Sequence, residues 1–539
     1  MSLDELALSA QRAVDRLIRR LRGGAAPTPT HRRFLVVQID GLLRAVLDEA
    51  LASGRMPFLA RLLERHDYRL EPMAVGLPTS TAAFHMAAMY GVRPDIPGFH
   101  YYDRERRGDI HFPRSGHAAA VEAKQAAGRR GILHGGSAYG CVFTGRADNT
   151  LFSFASLTRP KGAIVLNALS AFVVAGWVFV KSLTQTLIEV ARAGLRFIAD
   201  PLGEVGRWRW LRIKIGLSVW VRQFFTLAVA RDLYAGVPRI YVNYLDYDVS
   251  AHAFGPGSRR AMQSLRRVDS AIRQLWRVAR RVPEHRYDLY VLSDHGQARC
   301  LPYRDISGGR RLERWIVDEL MGKGQVEAPA ASPSGLVEGI RGRRRGTSGL
   351  FQHFLNYIDE DFLRRRDAEA YERDGVRVIS AGPNAFLYVL DTVAALHADA
   401  LDHRFPGLAE ELSKSPGIGF VLARSDHGPV CFWRGERYQL GDAEPGPFAG
   451  RADAALVIQG SADLMAMPST GDLVIYGIDA PGGHVSFIPE VGAHAGPSPE
   501  ELHTFIVCSA TQTLPLPITH PVQLYEHFMQ YQSGQAASE

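Results

Sequence analysis

The chain has 539 residues, of which 46% are hydrophobic and 22% charged, a composition typical of a globular protein. The balance of 63 Lys and Arg against 56 Asp and Glu gives a formal charge of +7, which favours an anionic partner. Phosphate-bearing substrates, lipid headgroups and nucleic acid all fit that charge. Nucleic acid is the least favoured, because the sequence has no zinc knuckle, recognition-helix motif or aromatic-basic repeat.

The four cysteines, at positions 141, 300, 431 and 508, are far apart and form no Cys-x-x-Cys pair. We therefore expect reduced and mostly buried thiols in a reducing compartment. No apolar secretory signal opens the chain, so we expect a cytoplasmic protein.

The N-terminal segment Ser2 to Arg22 has the periodicity of an amphipathic helix whose polar face is rich in arginine. Two positions for this helix remain open: docked on its own domain, or bound to a membrane surface or a partner. A Gly- and Pro-rich linker follows it.

Three apolar stretches each lead into carboxylates. Phe34 to Ile39 ends at Asp40-Gly41, Arg239 to Tyr244 leads to Asp246 and Asp248, and Tyr287 to Ser293 ends at Asp294-His295-Gly296. Such stretches are typical of buried strands in a parallel sheet, and the carboxyl ends of parallel strands meet at one edge. We therefore expect these side chains to lie close together.

A hydroxyl-rich turn, Pro78-Thr79-Ser80-Thr81, lies where a strand is followed by a helix. The amino end of a helix favours negative charge, which suits an alkoxide nucleophile or a bound phosphate. The alternative is that one of the three hydroxyls is only a helix N-cap.

Asp248 and His252 are four residues apart, so one helical turn would bring both onto one face at a workable metal-ligand spacing. The alternative is a surface carboxylate beside a core histidine. Asp246 is a nearby carboxylate that we do not select.

The predicted site combines oxygen and nitrogen donors without thiolates, at Asp40, Thr81, Asp248, His252, Asp294, His295 and His494. This donor set suits two zinc ions, with manganese as the alternative. Two metals close together would clamp the attacking and leaving oxygens of a phosphoryl transfer.

The order of motifs, Asp-Gly, Pro-x-x-Thr, Asp-x-x-x-His, Ser-Asp-His-Gly and a late His, resembles the alkaline phosphatase superfamily. The nearest branch is the type I phosphodiesterase/nucleotide pyrophosphatase group, and the resemblance covers roughly residues 34–105, 238–300 and 470–510. It implies a three-layer α/β/α sandwich, here with a helical insertion and a small α+β lobe.

The resemblance also implies a role for each site residue. One metal would be held by Asp40, Asp294 and His295 and would activate the Thr81 hydroxyl. The other would be held by Asp248, His252 and His494, with His484 as the alternative last ligand. Thr81 would form a phosphothreonine enzyme that water then hydrolyses.

Two residues depart from the family pattern. Ala83-Phe84-His85 stands where the family has Pro-Asn-His, so the Asn that helps to bind a phosphoryl oxygen is missing. Ala251 replaces a Gly before the second histidine. Threonine as nucleophile favours diesters over monoesters, and a sulfatase is disfavoured because no Cys/Ser-x-Pro-x-Arg run stands at the nucleophile position, Pro78 to Thr81.

We therefore expect a metal-dependent hydrolase of phosphodiester or pyrophosphate bonds acting on a nucleotide-like small molecule. A phosphomonoesterase or headgroup transferase of the same fold is one alternative. A non-catalytic membrane-associated scaffold is the other, and Phe84 is the residue that favours it. The sequence does not determine the oligomeric state.

An apolar insertion separates the first motifs from the later ones. Residues 162–180 are uncharged and form a marginal transmembrane candidate, and a second apolar run at 215–230 contains Arg222. Between them, Arg207-Trp208-Arg209-Trp210 is typical of a membrane interface or of a basic surface.

The order of the motifs limits what this insertion can do. Thr81 precedes it and Asp248 follows it, so a single membrane crossing is excluded. A two-helix hairpin that anchors the enzyme through 162–230, a lid on the bilayer surface and a cap packed on the catalytic domain remain open. Membrane contact would favour a lipid-linked substrate.

The predicted organisation places three segments of the catalytic core between variable ones. In chain order we expect an N-terminal helix and linker (1–30), the first core segment (31–158), the helical insertion (159–232), the second core segment (233–325), a basic loop (326–350), the α+β lobe (351–450), the third core segment (451–530) and a tail (531–539). Within the lobe we expect one helix around Leu396 to Leu412, and we place the strand at Leu473 in the third core segment.

Overall fold

The computed structural model describes residues 32–112, 114–156, 180, 182–187, 190–191, 219–322, 370–441 and 446–533. The N-terminal helix, the run 162–179, the Arg-Trp alternation and the basic loop 326–350 lie outside the described residues.

The strands of the described residues, numbered in chain order, are β1 (Arg33–Ile39), β2 (Tyr68–Ala74), β3 (His100–Asp103), β4 (Gly108–His111), β5 (Ser137–Tyr139), β6 (Asn149–Leu151), β7 (Arg239–Tyr244), β8 (Tyr287–Leu292), β9 (Ala298–Arg299), β10 (Leu301–Pro302), β11 (Ala370–Arg373), β12 (Val376–Ser380), β13 (Asn384–Val389), β14 (Phe420–Ala423), β15 (Val430–Trp433), β16 (Glu436–Gln439), β17 (Leu473–Tyr476), β18 (Val485–Ser486), β19 (Gly492–Ala493) and β20 (His503–Ser509).

The α-helices of the same residues are α1 (Arg44–Ala52), α2 (Pro57–Arg65), α3 (Thr81–Tyr90), α4 (Ser115–Gln125), α5 (Arg222–Ala235), α6 (Asp246–Phe254), α7 (Arg259–Arg280), α8 (Tyr303–Ile306), α9 (Leu312–Arg314), α10 (Ala398–Arg404), α11 (Leu408–Lys414), α12 (Ala454–Ala466), α13 (Pro499–Leu502) and α14 (Val522–Ser533).

A mixed sheet forms the centre of the fold, with the strand order β2-β20-β8-β1-β7-β5-β6. The run from β8 to β6 is parallel, whereas β20 is antiparallel to both of its neighbours. The first predicted strand, β1, lies between β8 and β7. Because these three strands are parallel neighbours, their carboxyl ends meet at one edge of the sheet.

Helices cover both faces of this sheet. Alternate side chains of β1 point to opposite faces, so Phe34 and Val36 pack in one hydrophobic core while Leu35 and Val37 pack in another. The first of these cores includes residues of α3 and α14, and the second includes residues of α1, α2, α5, α6 and α7. The predicted three-layer α/β/α architecture is confirmed.

A second, antiparallel sheet has the order β11-β12-β13-β17-β14-β15-β16. This sheet corresponds to the predicted α+β lobe. Its central strand is β17, which pairs with β13 and β14, so the prediction that this strand belongs to the third core segment is wrong. The apolar pattern of Leu473–Tyr476 is the same for either sheet, so only the tertiary pairing decides its position. Val474 packs in the same hydrophobic core as Phe34, and Leu473 packs in a separate lobe core.

The single helix expected around Leu396 to Leu412 is in fact two helices, α10 and α11. Pro406 and Gly407 separate them, and Gly407 adopts a left-handed φ of 70°. A proline lacks the N–H needed to continue a helix, and glycine accepts this backbone conformation readily.

The described end of the insertion belongs to the catalytic domain. Helix α5 contains most of the second apolar run, and its Phe225, Val229 and Leu233 are buried in the core beside the central sheet. Arg222 pairs with Asp246 at an Nε–Oδ1 distance of 3.0 Å. Among the described residues, no helix combines the length and apolar character needed to cross a membrane.

The four cysteines are buried and unpaired, as expected. Burial raises the pKa of the Cys141 thiol well above its ordinary value, which keeps it protonated.

Candidate active site

The three hydroxyls of the turn, those of Thr79, Ser80 and Thr81, make different contacts. Ser80 is the N-cap of α3, because its Oγ accepts a hydrogen bond from the Ala83 N–H at 3.4 Å. Thr79 donates from Oγ1 to the Gly496 carbonyl at 2.9 Å. Thr81, the first residue of α3, places Oγ1 3.1 Å from His295 Nε2. The N-cap alternative therefore applies to Ser80, and Thr81 faces the predicted metal ligands.

The parallel strands deliver the predicted ligands to one edge of the sheet. Asp40 follows β1, and Asp294 with His295 follows β8. Helix α6 begins directly after β7, and Asp248 and His252 lie one turn apart on it. The geometry therefore brings together segments more than 200 residues apart in the chain.

Two groups of ligand atoms result, and in each the atoms lie within 4.8 Å of one another. The first contains Asp40, Asp294 and His295, and the second contains Asp248, His295 and His494. His295 takes part in both groups, and its ring stacks on that of His494, with centroids 3.7 Å apart.

His252 lies beside the second group, next to Asp248. Its Nε2 lies 3.4 Å from Asp248 Oδ1, while His494 Nε2 lies 4.0 Å from the same oxygen. His484, the alternative last ligand, lies by Asp479 and belongs to neither group. The structure therefore places His494, not His484, among the other predicted ligands.

The three histidines share one hydrogen-bonding pattern. Nδ1 of His252, His295 and His494 lies 2.8 to 3.0 Å from the backbone carbonyls of Gly492, Gly296 and Thr79 respectively. A carbonyl can only accept, so each Nδ1 carries a proton. Burial lowers the pKa of His295 and of His494, so both rings are neutral and their Nε2 atoms keep a free lone pair. Burial opposes protonation of His252, but Asp248 and Glu490 outweigh it and raise its pKa, so a cation must displace a proton from its Nε2.

Burial and mutual repulsion disfavour the ionised form of Asp40 and Asp294 unless a positive charge lies nearby. Burial raises the pKa of Asp40 well above its usual range, and Asp294 and Asp248 raise it further. Burial also raises the pKa of Asp294 to about 7. Within the described residues its buried Oδ2 atom has no hydrogen-bond partner, and His295 Nε2 lies 3.4 Å from it. A buried carboxylate oxygen of this kind, beside two other carboxylates and three imidazole rings, fits a pair of divalent cations.

Asp248 behaves differently from the other two carboxylates. Burial opposes its ionisation, but the adjacent His252 outweighs that effect and lowers the pKa of Asp248. Asp248 and His252 are also more open, with 14% and 22% of their side chains exposed, whereas Asp294 and His295 are fully buried. The open side of the site is therefore on α6.

Asn243 and Gln297 also contact the predicted ligands, and neither was predicted from the sequence. Asn243 Nδ2 donates to Asp40 Oδ2, and Gln297 Nε2 donates to Asp248 Oδ1, both at 2.5 Å. One signal could have found Asn243: it is a polar residue inside the apolar strand β7, one position before Tyr244.

Other polar residues near the motifs have structural roles. The histidine kept in Ala83-Phe84-His85 is buried, accepting from the Val142 N–H at Nδ1 and bonding Gln38 at Nε2. Burial lowers the pKa of His85 to about 3, so it stays neutral. Asp246 pairs with Arg222 and lies outside both ligand groups.

Ala495, next to His494, adopts a φ of 110°, a conformation that strongly favours glycine. We expect Ala495→Gly to stabilise the protein by about 1 kcal/mol, because the backbone strain of a side chain disappears. Urea unfolding measures the difference. As a control, Ala493→Gly in β19 should destabilise instead, and an Ala495→Gly variant less stable than the wild type would contradict the prediction.

A family model described as type I phosphodiesterase / nucleotide pyrophosphatase matches residues 34–334, more than half of the chain. The chain belongs to this family. The predicted resemblance is therefore confirmed, and the protein is a phosphodiesterase/nucleotide pyrophosphatase-like hydrolase.

Two solved structures of phosphonoacetate hydrolase from Sinorhizobium meliloti 1021 are similar to the chain. They are complexes with phosphonoformate and with phosphonoacetate, each 14% identical in sequence, with TM-scores of 0.45 and 0.46. Each comparison covers 95% of this chain and 97% of the other. Comparison with curated proteins gives no match.

Proposed function

We propose that this hydrolase cleaves phosphodiester or pyrophosphate bonds with two divalent cations and a phosphothreonine intermediate. One observation carries the proposal: the Thr81 hydroxyl lies 3.1 Å from His295 Nε2, at the amino end of α3 and beside three carboxylates. A hydroxyl in that position serves as a nucleophile once its proton is removed.

The ligand atoms described above fit two cations of the zinc or manganese type. Asp40, Asp294 and His295 would hold one, and Asp248, His252 and His494 the other. When bound, the cations would neutralise the carboxylates, lower the pKa of the Thr81 hydroxyl and stabilise charge on the transferring phosphoryl group.

The protein residues perform the two transfers. Thr81 Oγ1 forms a bond to phosphorus while the bond from phosphorus to the leaving oxygen breaks. The proton lost by Thr81 goes to the leaving oxygen, so the leaving group departs as an alcohol or a phosphate. Water then forms a new bond to phosphorus from the vacated side while the Thr81 oxygen–phosphorus bond breaks, and one proton of that water returns to the Thr81 oxygen.

Phe84 stands where the family has an Asn that binds a phosphoryl oxygen, so other donors must bind that oxygen here. In the first turn of α3, the Ala83 and Phe84 N–H groups already bond Ser80. The N–H groups of Thr81 and Ala82 have no acceptor among the described residues. We propose that these two bind the phosphoryl oxygen that the family's Asn would hold.

The charge of the site favours a diester. Within the described residues, the ion pairs of Asp40, Asp248 and Asp294 involve only histidines, with no Lys or Arg. A monoester dianion brings one more negative charge than a diester and would need a further cationic side chain. The natural substrate class we propose is a monoanionic diester, nucleotide-like or lipid-linked.

The test compares hydrolysis of bis-p-nitrophenyl phosphate and p-nitrophenyl phosphate by metal-loaded protein. We expect faster turnover of the diester, measured as kcat/KM, and loss of turnover after chelation. A preference for the monoester would instead support the phosphomonoesterase alternative. Absence of any turnover with two metals bound would support the scaffold alternative. Measuring kcat/KM for a dinucleotide and for a phospholipid diester in vesicles then shows whether the nucleotide-like or the lipid-linked diester is preferred.

A further inference from the structure

We propose that Glu490 is a positioning residue that fixes His252 and supplies the second negative charge for the cation held by Asp248, His252 and His494. This inference rests on the metal site of the proposed function. Its structural basis is a carboxylate at the Nδ1 atom of His252, where His295 and His494 have only backbone carbonyls among the described residues.

Glu490 contacts His252 from the side away from the site. Its Oε2 lies 2.9 Å from His252 Nδ1, which also contacts the Gly492 carbonyl at 2.8 Å. The Nδ1 atoms of His295 and His494, by contrast, contact backbone carbonyls. His252 is therefore the one of these three rings whose proton lies between a carbonyl and a carboxylate.

The Glu490 carboxylate is itself held in place. Its other oxygen, Oε1, accepts from the Ser486 hydroxyl at 2.9 Å, and only 9% of the side chain is exposed. The following residue, Val491, donates its N–H to the His252 carbonyl at 2.9 Å. Both the side chain and the backbone of this segment therefore restrain the same histidine.

The formal charges explain why one histidine needs this partner. Asp40 and Asp294 give the first cation two carboxylates, whereas Asp248 alone serves the second. A carboxylate that is hydrogen-bonded to Nδ1 makes the imidazole a stronger metal ligand. It also places a further negative charge on the opposite side of the His252 ring from the cation. With Glu490 included, the two positions carry equal negative charge.

The experiment titrates metal-free protein with Zn²⁺ under chelator competition, which gives the stoichiometry and affinity of each position. We expect two sites in the wild type. In Glu490→Ala one affinity should fall by roughly 10- to 100-fold while the other is unchanged. Glu490→Gln keeps an acceptor without the charge, so its loss should be smaller. Glu500→Ala, an exposed glutamate nearby, should change neither affinity.

Two further readouts separate positioning from a general loss of structure. Metal-free Glu490→Gln loses the charge that faces His252, but its urea unfolding should keep the cooperativity and m-value of the wild type, and saturating Zn²⁺ should restore most of kcat. In an Asp248→Ala background, which already lacks the affected position, Glu490→Ala should have no further effect on the remaining site.

Two results would contradict the inference. Two unchanged Zn²⁺ affinities in Glu490→Ala would overturn the role of Glu490 while leaving the metal site intact. A wild-type protein that binds no stoichiometric Zn²⁺ or Mn²⁺ would overturn the metal site itself, and the inference with it.

Discussion

Thr81→Ala is expected to lower kcat for a phosphodiester by at least roughly 10³-fold, because the phosphorylated intermediate cannot form without the hydroxyl. Metal content should stay near the wild-type value, since the carboxylates and histidines supply the other ligand atoms. Steady-state hydrolysis of bis-p-nitrophenyl phosphate, with metal analysis of the same samples, measures both quantities.

Three further measurements control for Thr81→Ala. Thr81→Ser keeps a hydroxyl at the same position and should retain turnover within about tenfold. Ser80→Ala removes the N-cap bond to Ala83, so it should cost about 1 kcal/mol of stability with little effect on the chemical step. Trapping of labelled phosphate on the wild type after acid quench should locate it on Thr81. Turnover of Thr81→Ala within tenfold of the wild type would exclude the phosphothreonine mechanism.

Asp294→Asn is expected to stabilise the metal-free protein but not the metal-bound protein. Folding raises the pKa of this carboxyl from its ordinary value of 3.8 to about 7, chiefly through burial. The folded state therefore holds the proton more tightly, and the resulting stability is present below pH 3.8 and lost as the pH rises through 7. At pH 8 the buried charge costs metal-free protein up to roughly 4 kcal/mol.

Asparagine cannot ionise, so metal-free Asp294→Asn should be more stable than metal-free wild type at pH 8, and the difference should shrink towards pH 4. With metal at about 1,000 times its Kd, the wild type gains about 4 kcal/mol that the variant largely lacks, so the advantage of the variant disappears. Urea unfolding at both pH values, with chelator or metal, measures all four differences.

Asp288→Asn at the opposite end of β8 provides the control. Asp288 pairs with Arg32 away from the site, so its loss should destabilise the protein equally with and without metal. If Asp294→Asn behaves like Asp288→Asn, the carboxylate cluster does not bind a cation.

The sequence alone determined the local features of this protein. The apolar runs at Phe34 and Tyr287 specify buried parallel strands, and Gly41, with a φ of 72°, allows the chain to turn after Asp40 at the sheet edge. Four-residue spacing places Asp248 and His252 on one face of α6. These features depend on neighbours within a few residues, so pattern and spacing are sufficient to predict them.

Only the tertiary structure decided which partners these segments meet. It assigned β17 to the antiparallel sheet, placed the apolar helix α5 in the domain core, and brought His494, rather than His484, beside the other predicted ligands. It also brought Asn243, Gln297 and Glu490 to the ligands. The reason is physical: each outcome depends on contacts between segments far apart in the chain, and hydrophobic burial does not specify which apolar surface covers another.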